Sequence, residues 1–216
     1  MITFFNNFTK ITGYLVQKVA FRTKIYYEDK NVQSRKIKGP AIIISNHTSV
    51  YDYAVFLFVF FSRTLRYQMA EVLYKKKLLA WFLNCMGGIY VNRDTYDFSF
   101  IYKSYDILKR GGIVGIFPES RIPKEGEERP LPFKVSAAYL ALLSDVKVIP
   151  LYTDGVYFKN HRARVIIGTP MYAKDFVLEN LDEKENITRV TEAFKNKIIA
   201  LGKELDERKR KEKQKK

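Results

Sequence analysis

The chain has one cysteine and two histidines in 216 residues. Cys85 can form no intrachain disulfide, which points to a reducing compartment and to a small buried hydrophobe. His47 and His161 are too few for a histidine-based metal site, and no CxxC pair is present. Long apolar runs are missing too. The longest, Tyr53–Phe61, has nine residues, against the roughly 20 needed to cross a bilayer. The N-terminus lacks the basic segment, apolar core and small-residue cleavage site of a secretory signal. Without a G-x-S-x-G elbow, nearby Ser49 makes a poor covalent nucleophile.

What the chain does contain is apolar, aromatic and basic. Hydrophobic residues make up 47%, with 15 Tyr and 16 Phe, enough for one domain with a real core. The net charge is +15, which calls for an anionic partner. The segment Lys203–Lys216 holds eight basic and four acidic residues and reads as a solvated helix end. The remainder still bears +11. A nucleic-acid binder would interleave aromatics with Lys and Arg on an exposed face. Here the aromatics sit inside apolar runs, so nucleic acid is not the expected partner.

Near the N-terminus, Phe4, Phe8, Ile11, Leu15 and Val19 recur at spacings of three and four, with Lys10, Lys18, Arg22 and Lys24 among or after them. This predicts an amphipathic helix. Two placements fit its stripe: a membrane interface or the protein's own core. The chain divides into this segment (1–30), a main domain (31–205) and a basic tail (206–216).

Strands are predicted at Lys24–Tyr27, Ala41–Ser45, Leu65–Ala70, Ile89–Val91, Ile113–Phe117, Val146–Tyr152 and Arg164–Ile167. Helices are predicted at Tyr53–Phe61, Lys75–Leu83, Phe98–Lys109, Lys134–Leu143 and Asn186–Leu205. The alternation predicts an α/β fold: a mixed, largely parallel sheet flanked by helices. In such sheets ligands gather at the carboxyl ends of the strands.

Three of those ends carry reactive groups. Asn46-His47-Thr48-Ser49-Val50-Tyr51-Asp52 follows an apolar strand and sets a histidine five positions before an aspartate. Histidine is the side chain that titrates near neutral pH, and a carboxylate on its second nitrogen fixes the tautomer. Asn92-Arg93-Asp94 and Pro118-Glu119-Ser120-Arg121 follow two further strands, and arginine suits a phosphate. Taken singly, each cluster also fits an ordinary role: a turn histidine before a helix-start aspartate, an Arg93–Asp94 turn pair, a surface pair of Glu119 with Arg121. His161 reads as a surface-loop residue.

Their order resembles the glycerolipid acyltransferase family of the 1-acylglycerol-3-phosphate acyltransferase type. Asn46, His47 and Asp52 match its N-H-x4-D motif, and Gly87 to Arg93 resembles G-G-I-x-V-x-R. Phe117-Pro118-Glu119-Ser120-Arg121 resembles F-P-E-G-T-R-S, without its Gly and Thr. Phe133-Lys134 matches a downstream F-K, and Val148-Ile149-Pro150 a V-x-P strand. The resemblance spans about Lys36 to Pro170. It implies that His47 is general base for an acceptor hydroxyl that attacks a thioester, and that Asp52 orients it. Arg93, Glu119, Ser120, Arg121 and Lys134 would bind substrate. It implies no cofactor, with acyl-CoA or acyl-carrier protein as co-substrate and a lysophospholipid as acceptor, at an anionic membrane surface on the cytoplasmic face. Another lysolipid, glycerol phosphate or a non-catalytic lipid-binding role are the alternatives. The helices Tyr53–Phe61 and Leu78–Met86 fit either an acyl channel or core packing.

Overall fold

Seven short strands build one sheet, and its central strands are the most fully buried. The computed structural model describes residues 1–93, 95, 97–158 and 162–214. The strands are β1 (Lys24–Tyr27), β2 (Ala41–Ser45), β3 (Leu65–Ala70), β4 (Ile89–Val91), β5 (Ile113–Ile116), β6 (Val148–Thr153) and β7 (Arg164–Ile167). Their order is β1-β7-β6-β2-β5-β3-β4. Every pairing is parallel except β6 with β7, the expected mixed and largely parallel arrangement. β2 lies between β5 and β6, and all five of its residues are buried. A strand covered on both faces needs such an uninterrupted apolar run.

Successive side chains of β2 feed two cores. Ala41 and Ile43 join Val55, Phe56, Val59 and Tyr67, on the side of α2 (Asp52–Val59) and α3 (Lys77–Met86). Ile42 and Ile44 join the opposite core with α4 (Ser99–Lys109), α5 (Ser136–Ser144) and α6 (Glu183–Gln214). The apolar side chains of α2 are therefore largely committed to core packing.

All five predicted helices shift at one or both ends, and two of them shift most. A short 3-10 turn, Glu71–Tyr74, precedes α3, which starts at Lys77 and not Lys75. The last helix is longer at both ends. At its start Asp182 accepts the Glu185 backbone N–H at 2.7 Å and Glu185 accepts that of Asp182 at 3.0 Å, a reciprocal cap that satisfies two helix-end donors. At its end the charged run stays helical to Gln214 because it is docked on β1. Glu212 takes the Lys24 ammonium and the Tyr26 hydroxyl, and Arg208 reaches the Tyr27 carbonyl at 3.0 Å.

The N-terminal helix α1 (Ile2–Ala20) packs with its polar side inward. Asn6 and Lys10 are its buried residues. Lys10 donates to the carbonyls of Phe61 (3.0 Å) and Arg63 (2.6 Å) just past α2, and Asn6 Nδ2 approaches the Met86 carbonyl at the end of α3. A cation at a helix C-terminus meets orphan carbonyls and the negative end of the dipole. The predicted apolar stripe consequently faces outward: Phe4 is 74%, Leu15 73% and Val19 77% exposed. Leu78 and Trp81 of α3 are exposed too, and Phe5 packs edge-on against Trp81. Among the described residues no helix is long and apolar enough to cross a membrane. Cys85 is half-buried.

Candidate active site

The carboxyl end of β2 delivers the chain into a turn built around one carboxylate. Asp52, the first residue of α2, is completely buried, and His47 keeps 18% of its side chain exposed. Oδ2 of Asp52 lies 2.9 Å from His47 Nδ1 and also accepts the backbone N–H groups of Thr48 (2.6 Å) and Ser49 (2.9 Å). Oδ1 accepts the Thr48 hydroxyl at 2.8 Å and the Tyr157 hydroxyl at 2.5 Å. Five donors surround this carboxylate, so both of its buried oxygens are hydrogen-bonded. With Nδ1–H directed at Asp52, the Nε2 lone pair is available as a base.

The imidazole is fixed from its face as well. Phe117, just past β5, stacks on it at 4.1 Å between centroids and 12° between planes. Asn46 clamps the turn to the end of β6. Its amide donates to the Thr153 carbonyl and its oxygen accepts the Thr153 N–H, both at 2.9 Å. Gly155, in a left-handed conformation (φ +65°), lies so close to Thr48 that a Cβ there would sit 2.6 Å from Thr48 Oγ1. Only glycine fits that contact.

Glu119 is buried behind the histidine. Its two oxygens accept the backbone N–H groups of His47 (2.8 Å) and Leu131 (2.7 Å). Burial pushes its pKa above the ordinary glutamate range, against the lowering effect of those N–H groups. Its carboxylate thus joins the histidine turn to the proline-rich loop after β5. Ser120 follows with φ +59°. It stands where the resembled motif has glycine, the residue that adopts this conformation without strain.

Arg93, just past β4, donates from Nη1 to the Ser120 carbonyl at 3.1 Å and forks onto Glu71 at 2.8 and 3.1 Å. Those hydrogen bonds hold the Glu71 carboxyl down to about 2. Arg121 turns elsewhere. It forks onto Glu127 at 2.6 and 2.7 Å and does not pair with Glu119 as the sequence allowed. Lys134 is exposed, and its backbone N–H is tied to the Pro118 carbonyl at 2.8 Å.

One hydrogen-bonded set therefore joins Asp52, His47 and Glu119, with Ser120 and Arg93 linked at its edge. Arg121 bonds within its own loop. Asp94 and His161 lie outside the described residues. Sequence reasoning gave no role to Phe117, Thr48 or Tyr157. Phe117 stood within a recognised motif and Thr48 beside the histidine, but Tyr157 is 105 positions from Asp52, and no local spacing marks it.

A family model described as Acyltransferase matches residues 24–154, the span containing this dyad, Glu119 and Arg93. The chain belongs to the acyltransferase family. It is 29% identical over 148 residues to the 1-acyl-sn-glycerol-3-phosphate acyltransferase of Bacillus subtilis, covering 66% of this chain and 71% of that protein. It is 26% identical over 168 residues to the protein of the same name from Borreliella burgdorferi, covering 71% of this chain and 63% of that one. Among solved structures it is similar to the 1-acyl-sn-glycerophosphate (LPA) acyltransferase PlsC from Thermotoga maritima. The TM-score is 0.61 at 20% identity, over 93% of this chain and 79% of that one, a likeness of fold. Tyr157 lies three residues beyond the span that the acyltransferase model matches.

Proposed function

We propose that this acyltransferase moves a fatty acyl group from a thioester donor to the free hydroxyl of 1-acylglycerol-3-phosphate (lysophosphatidic acid), giving phosphatidic acid. The observation that carries the reading is the His47 Nδ1–Asp52 contact of 2.9 Å, which leaves Nε2 as base on a half-buried ring at the strand ends. His47 Nε2 takes the proton of the acceptor hydroxyl as its oxygen attacks the thioester carbonyl. Asp52 stabilises the imidazolium that forms. The tetrahedral intermediate collapses, the carbon–sulfur bond breaks, and the thiolate takes the proton from His47. The acceptor's own hydroxyl is the nucleophile, so no acyl-enzyme forms. Arg93 holds the acceptor's phosphate, exchanging part of its fork on Glu71 for phosphate oxygens. The acceptor's identity draws support from the names of the two relatives.

The acceptor is a membrane lipid, and the outward stripe of α1 suits a helix lying in the bilayer interface on the cytoplasmic face. The donor is acyl-CoA or acyl-carrier protein. Both are anionic and fit the +15 chain electrostatically. Purified protein assayed with both labelled donors against lysophosphatidic acid, other lysolipids and glycerol phosphate tests the reading. Transfer to lysophosphatidic acid is expected to exceed all others. Preferential transfer to another acceptor would contradict the assignment.

A further inference from the structure

Tyr157 sits in the loop after β6, four residues beyond Thr153 in sequence, and its ring is buried. Its hydroxyl lies 2.5 Å from Asp52 Oδ1 and 3.1 Å from Thr153 Oγ1. Among the described residues the phenol is the one group hydrogen-bonded to the Asp52 carboxylate from outside the H-x4-D turn. Burial, and after it the Asp52 charge, hold that phenol protonated far above its ordinary range. A phenol beside a carboxylate can only donate.

The loop is built to aim this group. Phe158 adopts φ +67°, a strained conformation for a bulky L residue. Its ring meets Phe21 at 5.0 Å and Tyr51 at 4.8 Å, and the Tyr157 ring meets Phe21 at 5.6 Å. Phe21 lies just past the end of α1 and Tyr51 immediately precedes Asp52. This aromatic nest pins the phenol from three segments of chain.

The geometry points to Tyr157 as a positioning residue of the acyl-transfer site: its O–H fixes the Asp52 carboxylate so that Oδ2 stays directed at His47 Nδ1. It acts through Asp52 and touches no substrate. The inference rests on the acyl-transfer reading for its catalytic consequence, though not for its structural one.

Tyr157→Phe removes one hydroxyl and keeps the ring contacts. We expect kcat to fall about tenfold, the scale of one lost hydrogen bond to a charged group, with KM for donor and acceptor within about twofold. The proton NMR resonance of His47 Nδ1–H is expected to shift, while the melting temperature stays within a few degrees. An unchanged kcat overturns the proposal. So does a loss of activity that follows the loss of folded protein and leaves the resonance unmoved. Should Tyr157→Phe fail to fold, Thr153→Val removes the phenol's contact with Thr153 Oγ1; a smaller shift of the same resonance is expected, and none overturns the proposal. The resonance needs no substrate. A wild-type protein without acyl transfer would sink the proposed function and leave this test standing.

Discussion

Oε1 of Glu119 accepts the backbone N–H of His47 at 2.8 Å, so this carboxylate braces the histidine turn from behind. Its other oxygen holds Leu131. Glu119→Gln replaces one acceptor with a donor and must lose one of the two contacts, a cost of about 1–3 kcal/mol. The expected result is a kcat reduced by roughly ten- to a hundredfold with a smaller change in acceptor KM, read from initial rates. The raised pKa adds a pH signature. The folded state holds the Glu119 proton more tightly than the unfolded chain, so stability falls as pH rises from the ordinary glutamate value to the raised one. Glu119→Gln should flatten that segment of the pH–stability curve.

Arg93 and Arg121 separate cleanly. The first is linked to the catalytic turn through Ser120, and the second is occupied by Glu127 within its own loop. Arg93→Ala is expected to raise the KM for a phosphate-bearing acceptor by about tenfold or more, the scale of a lost charged contact. Arg121→Ala should change it less than Arg93→Ala. A larger effect at Arg121 would assign the phosphate to that loop.

The sequence made the dyad legible because H-x4-D is local: a strand end and a helix start five residues apart leave the two side chains few ways to miss. The strands β1, β2, β3, β4 and β7 carry the predicted bounds: β2 writes itself as an unbroken buried apolar run, and β3 as an alternation of buried and half-buried side chains. The α1 stripe was equally visible, but not the side it faces. That depends on Lys10 and Asn6 meeting carbonyls 50 to 80 positions away. The contacts of Glu119 were hidden for the same reason, because its partners are backbone N–H groups that meet it only after folding. Nothing local could announce Tyr157.

Lys10 provides a test of how α1 is attached. Burial brings its pKa down to about 8. The folded state releases this proton before the unfolded chain does, so stability should rise as pH climbs from about 8 toward the ordinary lysine value. Lys10→Met should abolish that rise. It also leaves the carbonyls past α2 without their donor, and a loss of about 1–3 kcal/mol at neutral pH is expected in denaturant unfolding.

The outward face of α1 predicts membrane binding independent of the dyad. Phe8→Asp with Leu15→Asp places two charges where exposed apolar side chains now stand. Sedimentation with anionic vesicles should be lost, and activity on a soluble short-chain acceptor retained. Undiminished vesicle binding would remove α1 from the interface.

The central claim is that His47 deprotonates the acceptor, with Asp52 behind it at 2.9 Å. Its most direct test is transfer of label from acyl-CoA or acyl-carrier protein to lysophosphatidic acid by His47→Ala, alongside vesicle and lysolipid binding by the same protein. The account predicts that turnover falls by at least about a hundredfold, the lower end of what a positioned base contributes, while binding is little changed. Turnover that survives the substitution would contradict it.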